Sequence, residues 1–427
     1  MPTLLSLLAV ALSLLSACSF QLPVPSRAAQ QQRRYSEPLS YGGRIIPPSP
    51  ASSPGKPPSP ASAPAFRPFR SGFVSIVGAP NMGKSTLLNR LLEYELCITN
   101  RRPQTTRHSI LGVLTSAEWR TQLCFQDTPG VIEEPQYALQ DTMMEAVRGS
   151  LTQCDVHLVV SDVFSVVPYS NEDRVIKRLQ GTAKPVIVVI NKIDLVDDVS
   201  AAAAAEEEPV GLYDRRTTTV PEAVAKWREI LPNAVTILPV SSKTGENVDV
   251  LRKLLLAENE LGEAWRGLGK PVPGTFREGV NAGEGVGKEE AEGLVPAGSP
   301  LYDEDAVTDR SERFIASEII RDQLFSRLGK EIPYCCQVVV TRFTEEKEGE
   351  EGKFRHVKAS VVVERASQKP IVIGKGGEKI KEVGIASRAE LERAFGVKKI
   401  MLELSVKVDQ NWRRDKAKLV KYGYADE

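Results

Sequence analysis

Gly78-Ala-Pro-Asn-Met-Gly-Lys84-Ser85 follows the apolar run 73–77 and precedes a stretch in which Leu87, Leu88, Leu91 and Leu92 recur at helical spacing. Two glycines separated by four residues and followed by Lys-Ser, set between a strand and a helix, form the P-loop pattern. The glycines let the backbone curl so that successive N–H groups converge on phosphate oxygens, and Lys84 adds a mobile charge at the terminal phosphates. Ser85 offers a hydroxyl to Mg²⁺ at the start of the helix, whose N-terminal dipole also favours an anion. The candidate phosphate contacts are Gly78, Pro80, Asn81, Met82, Gly83, Lys84, Ser85 and Thr86.

The pattern around this loop alternates strand and helix. Apolar runs at 110–114, 123–126, 156–160, 186–190 and 235–240 are separated by helical patterns near 137–148, 171–179, 222–230 and 248–256. Continuous apolar strands in such an order imply an α/β fold, a mostly parallel sheet with helices on both faces and a ligand at the strands' carboxyl ends. Two stretches interrupt it. Residues 201–209 are an alanine run followed by glutamates, and 269–300 are rich in Gly, Glu and Pro, so both read as mobile insertions. Within the second, 283–288 imitates a phosphate loop, but Glu289 stands where Ser or Thr is required and no strand precedes it.

Three further motifs complete a nucleotide site. Asp127-Thr-Pro-Gly130 ends an apolar strand, where a carboxylate holds Mg²⁺ through water and the Gly130 N–H senses the terminal phosphate. Asn191-Lys192-Ile-Asp194 follows another apolar run, and the Asp194 carboxylate can accept from the N1–H and amino group of guanine, which adenine cannot supply. Ser241, Ser242 and Lys243 fall where backbone N–H groups meet the guanine oxygen, although the same residues also read as a cap for the helix after Asn247. Between P-loop and Asp127, the proline-broken segment 101–107 is a loop. A threonine there, Thr106 in preference to Thr105, completes the Mg²⁺ shell only when the terminal phosphate is present and is released on hydrolysis. The metal set is thus Ser85, Thr106 and Asp127, and the catalytic set Lys84, Thr106 and Gly130. Val131 stands where Ras-like enzymes carry the glutamine that orients the attacking water, so slow intrinsic hydrolysis is expected.

From Asp309 the pattern changes to an amphipathic helix over 312–328, β-rich runs at 336–343 and 357–364 joined by an acidic hairpin or loop at 345–351, and a last strand near 400–408. Ile371-Val-Ile373 leads into the loop Gly374-Lys375-Gly376-Gly377, and a helix containing Ile380 and another through 391–395 follow it. This is the KH design, in which a glycine loop clamps about four single-stranded nucleotides beside an apolar groove. Lys375, Lys379 and Lys381 neutralise phosphate, and Lys398, Lys399, Arg413, Arg414, Lys416 and Lys418 extend the basic supply, the last four reading equally well as a solvated helix face. Any basic surface must be local, because 55 Lys plus Arg balance 55 Asp plus Glu. The six cysteines form no Cys-x-x-Cys pair, and with three scattered histidines they indicate neither a zinc site nor a disulfide scaffold.

The first residues read as a targeting segment. Residues 4–17 are apolar but shorter than the roughly 20 residues a membrane helix needs, and 21–70 are rich in Pro, Ser, Ala and Arg with Glu37 the only acid. A signal peptide followed by a transit peptide predicts delivery to a plastid stroma; a mitochondrion is the alternative, disfavoured because no Arg precedes Arg27. The expected organisation is 1–70 targeting segment, 71–262 GTPase domain, 263–308 flexible linker and 309–427 RNA-binding domain with a C-terminal helix.

At this point the chain resembles the Era family of GTPases. The resemblance rests on Pro80-Asn81 in the P-loop, Gln104-Thr-Thr-Arg107, Asp127-Thr-Pro-Gly130, Asn191-Lys-Ile-Asp194, Asp309-Arg310 before Arg313-Phe-Ile-Ala-Ser-Glu-Ile-Ile, and Val363-Glu-Arg365 ahead of Ile371-Val-Ile-Gly-Lys-Gly-Gly-Glu-Lys-Ile-Lys381. It covers residue 72 to the C-terminus and implies a KH type II module that binds the 3′ end of small-subunit ribosomal RNA and assists assembly of the pre-ribosomal small subunit under GTP control. It also implies that Asn81 helps hold K⁺. Ser242 replaces the family's usual alanine and Met82 its usual valine. The expectation is a monomeric GTPase using GTP and Mg²⁺, with a peripheral membrane contact if residues 4–17 are retained. The alternative is an RNA chaperone that uses GTP only as a structural ligand, an idea Val131 keeps open.

Overall fold

The computed structural model describes residues 68–100, 102–132, 134–164, 174–196, 219–256, 294–329, 331–347 and 353–424. The expected insertion at 201–209, the imitation phosphate loop at 283–288 and the targeting segment up to residue 67 lie outside them. Among the described residues, no helix is long and apolar enough to cross a membrane.

The first domain runs β1 (Arg70–Val77), α1 (Lys84–Leu92), β2 (Ile110–Ser116), β3 (Thr121–Asp127), α2 (Ala138–Gln153), β4 (Val156–Asp162), α3 (Arg174–Gln180), β5 (Val186–Asn191), α4 (Val220–Ile230), β6 (Thr236–Pro239) and α5 (Val248–Leu256). Its six strands are ordered β2-β3-β1-β4-β5-β6, with β2 antiparallel to β3 and every other pair parallel. β4 and β5 are buried along their whole length, which is why they read as continuous apolar runs. The chain leaves β1 towards β3 on one side and β4 on the other, so the crevice beyond the carboxyl end of β1 is the topological switch point where ligands bind. α1 begins there from Gly83, ends where Glu93 turns left-handed at φ 54°, and buries Leu87, Leu88 and Leu91. α4 starts from a capping box in which Thr219 and Glu222 satisfy each other's backbone N–H.

The second domain runs α6 (Glu312–Arg327), β7 (Cys336–Lys347), β8 (Lys353–Val363), α7 (Gln368–Ile373), α8 (Glu378–Ala394), β9 (Ile400–Val408) and α9 (Lys416–Lys421). β7 and β8 form the expected hairpin, and β9 joins β8 in parallel to complete a three-stranded sheet. Ile320, Leu324, Val361, Val383 and Leu391 form its core between sheet, α6 and α8. The two helical stretches expected around Ile380 and at 391–395 are one continuous helix, α8, which runs through Gly384 without a proline to stop it.

One expectation is corrected. The linker read as flexible over 263–308 is, from Leu294 onward, packed on the first sheet. Val295, Tyr302 and Ala306 are buried. Val113 N–H donates to Val307 O at 2.8 Å, and Gln122 Oε1 accepts from Leu301 and Tyr302 N–H at 2.7 and 2.9 Å. β2 is a sheet edge with unpaired backbone groups, and this segment covers it. Its few apolar residues are spaced to fill that role, a feature that composition averaged over the Gly- and Pro-rich stretch conceals.

Candidate functional site

The loop between β1 and α1 wraps around its own lysine. Lys84 is buried, and its Nζ donates to the carbonyls of Gly78 and Ala79 at 3.0 and 2.9 Å. Burial pushes this ammonium down to about 8, with the Asp127 carboxylate working the other way. A lysine so desolvated gains strongly from an anion brought against it. Gly83 occupies φ 87°, and a Cβ there would lie 2.3 Å from Asn191 Nδ2, so only glycine permits the loop to meet β5. Pro80, Asn81 and Thr86 line the small cavity in front of the loop, and buried Met82 offers its carbonyl to Asn191 Nδ2 at 2.8 Å.

The three expected metal oxygens converge. Ser85 Oγ lies 2.6 Å from Asp127 Oδ2 and 3.1 Å from Thr106 Oγ1. Asp127 Oδ1 is buried without a hydrogen-bond partner among the described residues, with the Cys97 thiol beside the carboxylate. Burial pushes Asp127 up to about 6, opposed by Lys84 and the Ser85 hydroxyl. Oxygen donors around an under-satisfied buried carboxylate fit a hard cation such as Mg²⁺. Of the two threonines of this loop, Thr106 is the one whose hydroxyl meets Ser85. Gly130 lies against the loop, and the next residue's N–H donates to Gly78 O at 3.0 Å.

The residues expected to read the base share one network. Asn191 Oδ1 accepts from Ser242 N–H at 2.9 Å, Ser241 Oγ donates to Asp194 Oδ1 at 2.6 Å, and Lys192 Nζ pairs with Asp162 at 2.9 Å. Arg90 from α1 ties Ser242 and Lys243 through their carbonyls at 3.3 and 2.8 Å. Ser241 Oγ accepts from Thr244 N–H at 3.1 Å, so it closes its own turn well ahead of α5 and does not cap that helix.

The loop that carries Thr106 is held by the second domain. Arg107 is buried, and its guanidinium donates to the carbonyls of Cys336, Tyr334 and Pro333 at 2.8, 3.0 and 3.3 Å. Arg321 of α6, paired within the helix to Glu318, donates to Thr105 O at 2.6 Å. His108 stacks on Tyr424 with ring centroids 4.2 Å apart, and Trp412 Nε1 donates to Cys335 O at 3.1 Å. Asn89, buried in α1, receives the N–H groups of Leu96 and Cys97 at 3.1 and 2.8 Å and so anchors the start of the same loop. None of these residues was singled out for this role from the sequence. A buried arginine in a polar loop has no one-dimensional signature.

In the second domain, Gly374, Lys375, Gly376 and Gly377 form a tight turn between α7 and α8. Gly376 and Gly377 hold φ 60° and 83°, and a Cβ on either would meet nothing within 4 Å. Their requirement is therefore the left-handed backbone and open access from outside. Lys375, Lys379 and Lys381 are exposed around this turn. Beside it opens a cleft of about 400 Å³ lined by Ile380, Lys381, Ile385, Arg388, Met401 and Leu404. Ile371, Ile385 and Met401 are 45%, 53% and 49% exposed, an apolar strip flanked by cations. Two members of the wider basic set are otherwise engaged. Arg413 binds Glu364 and lies over the Tyr137 ring, and Lys418 pairs with Asp409.

A P-loop fold with guanine-type recognition residues, joined to a glycine-loop RNA-binding fold, defines a nucleic-acid-linked GTPase. Residues 73–192 match the family described as "50S ribosome-binding GTPase", and residues 331–413 match the KH domain family. The chain is 35% identical over 358 residues to GTPase Era of Xylella fastidiosa, covering 84% of this chain and 98% of the relative. It is also 35% identical to GTPase Era of Vibrio vulnificus, over 83% of this chain and 92% of the relative. Among solved structures, Era in complex with MgGDPNP and nucleotides 1506–1542 of 16S ribosomal RNA matches with TM-score 0.65 at 30% identity, covering 84% of this chain and 99% of that one. An Aquifex aeolicus Era variant bound to GDP·AlF4⁻ matches with TM-score 0.64 at 31% identity, covering 84% and 100%. The chain belongs to the Era family of GTPases.

Proposed function

We propose that this chain is a GTP-controlled RNA-binding switch that engages the 3′ end of small-subunit ribosomal RNA and assists small-subunit assembly in an organelle. The observation that carries this reading is the physical continuity from Thr106 to the KH domain. Thr105 O is bound by Arg321, and Arg107 is clamped by the carbonyls just ahead of β7. A terminal phosphate holds Thr106 beside Ser85 and Asp127, and its neighbours carry that position into the KH domain. The solved Era complex with a 16S ribosomal RNA fragment supports the RNA assignment by analogy.

In the reaction, Lys84 and the P-loop N–H groups hold the phosphates, and the Gly130 N–H meets the terminal one. Asp194, oriented by Ser241, selects guanine. Ser85, Thr106 and the Asp127 carboxylate would hold Mg²⁺, which would supply charge neutralisation at the transferred phosphoryl group. Asn81 at the loop's rim is the candidate ligand for K⁺. Hydrolysis frees Thr106, loosens its loop and lowers RNA affinity, releasing the subunit.

The experiment is crosslinking of the protein to organellar RNA with and without a non-hydrolysable GTP analogue, comparing wild type with Gly376→Asp. Reads at the 3′ end of small-subunit ribosomal RNA, dependent on analogue and lost in the variant, are expected. Reads indifferent to nucleotide refute the switch and favour an RNA chaperone with GTP as structural ligand. The organelle is a plastid in our reading, tested by fusing residues 1–70 to a fluorescent protein; mitochondrial signal overturns it.

A further inference from the structure

Val131 is 8% exposed and presents only methyl groups, so the attacking water needs a polar partner from elsewhere. The cavity in front of the P-loop is lined by three carboxamides, Asn81, Asn100 and Gln104. Asn100 is engaged towards the KH domain, with its Nδ2 donating to Asp322 and Ser326 at 2.9 and 3.1 Å and its Oδ1 accepting from Arg102 N–H at 3.1 Å. Asn81 lies on the P-loop itself, at the phosphates rather than beyond the terminal one.

Gln104 differs from both. It sits two residues before Thr106 in left-handed backbone at φ 56°, a conformation that costs a non-glycine residue on the order of 1 kcal/mol or more. Its Oε1 accepts from Gln140 Nε2 at a long 3.5 Å. Gln140 is itself buried and held, because its Oε1 accepts from Gln136 N–H at 2.8 Å. That bond fixes which end of the Gln140 amide faces Gln104, and so which end of Gln104 faces Gln140. Gln104 Nε2 has no hydrogen-bond partner among the described residues, and Oε1 keeps a second lone pair.

We propose that Gln104 is the catalytic residue that orients the attacking water, supplying from the switch loop what residue 131 cannot, and that Gln140 positions it. Oε1 accepts one hydrogen bond from the water and Nε2 donates to an oxygen of the terminal phosphate. The water oxygen forms the new P–O bond, the bond to the leaving diphosphate oxygen breaks, and the water's proton ends on the phosphate product. Gln104 takes up no proton. The placement also makes hydrolysis conditional, because Gln104 reaches the water only while Thr106 is docked.

The inference rests on the GTPase activity of the family. Its test is single-turnover GTP hydrolysis by full-length wild type, Gln104→Gly, Gln104→Ala and Gln140→Ala, in potassium and in sodium buffer. Glycine relaxes the left-handed backbone, so a purely structural role predicts an unchanged or more stable protein with full activity. We expect Gln104→Gly to keep its melting temperature and its affinity for a non-hydrolysable GTP analogue. Its turnover should fall roughly 10²- to 10³-fold, and stabilisation by GDP·AlF4⁻ should disappear. Gln140→Ala should lose about tenfold, the low end for a partner that orients a functional group. Wild-type turnover in Gln104→Gly overturns the proposal and leaves the GTPase intact; absence of turnover in wild type in either salt overturns both.

Discussion

Replacing Arg107 by alanine should uncouple the two domains while leaving each folded. The side chain is buried at 5% exposure and donates to three main-chain carbonyls of the turn that leads into β7. It also lies 5.8 and 5.9 Å from the ring centres of Phe325 and Trp412. A hydrogen bond from a charged donor contributes roughly 1.5–3 kcal/mol. Counting only the bonds at 2.8 and 3.0 Å, and letting water reach the freed carbonyls, the loss is about 3–5 kcal/mol. At about 1.4 kcal/mol per decade, the lower figure weakens attachment of the switch loop to the KH domain roughly 100-fold. The assay is the affinity of the full chain for an oligonucleotide of the small-subunit ribosomal RNA 3′ end, measured with GDP and with a non-hydrolysable GTP analogue. Wild type should show two affinities and Arg107→Ala one, with GDP binding unchanged. Arg107→Lys should fall between, because an ammonium cannot match a guanidinium fork. An alanine variant that keeps both the wild-type affinity ratio and the wild-type melting temperature would refute the coupling role.

Asp194→Asn should weaken GTP binding roughly 100-fold or more, from the loss of two charged hydrogen bonds, and shift preference towards xanthosine triphosphate; equal affinities for GTP in both proteins would count against Asp194 as base reader. Gly83→Ala should destabilise the first domain by roughly 2–4 kcal/mol, since φ 87° and a contact of 2.3 Å to Asn191 both oppose a methyl group; urea unfolding reads this directly. Lys375→Ala with Lys379→Ala should weaken RNA binding and flatten its dependence on log salt by roughly 0.7 per lost phosphate contact, whereas an unchanged slope would remove these lysines from the interface. Burial, aided by Lys184 and Arg178, holds His157 down to about 4, and burial also holds His108 well below its usual range. Folding keeps both neutral while the unfolded chain takes up protons below about pH 6.5, so their contribution is full above that value and declines as pH falls. Melting scans on wild type and His157→Gln should show a shallower acid decline in the variant.

The two domains and most of the nucleotide site were legible in one dimension because their physics is local. A P-loop depends on glycines at fixed spacing, and β4 and β5 are apolar throughout because both faces are covered. Ser85, Thr106 and Asp127 were named from separate motifs, and they converge within 2.6 and 3.1 Å of one hydroxyl. The last strand was read at 400–408, the bounds it has, because its alternation is uninterrupted. Residues 294–308 were misread because a segment that covers a sheet edge needs only a few apolar contacts and hydrogen bonds, and their partners lie on strands distant in sequence.

The sequence by itself determined a GTP-type P-loop domain followed by a KH domain, since both signals are carried by residues close together in the chain. Only the tertiary structure decided how the one speaks to the other. Arg107 meets Cys336, Arg321 meets Thr105, and His108 meets Tyr424 across hundreds of residues. The energetics of such contacts depend on burial and mutual orientation, which no local pattern encodes. The same holds for Gln104, in sequence only the first residue of a family motif, which its left-handed backbone and its partner Gln140 place beside the phosphate cavity.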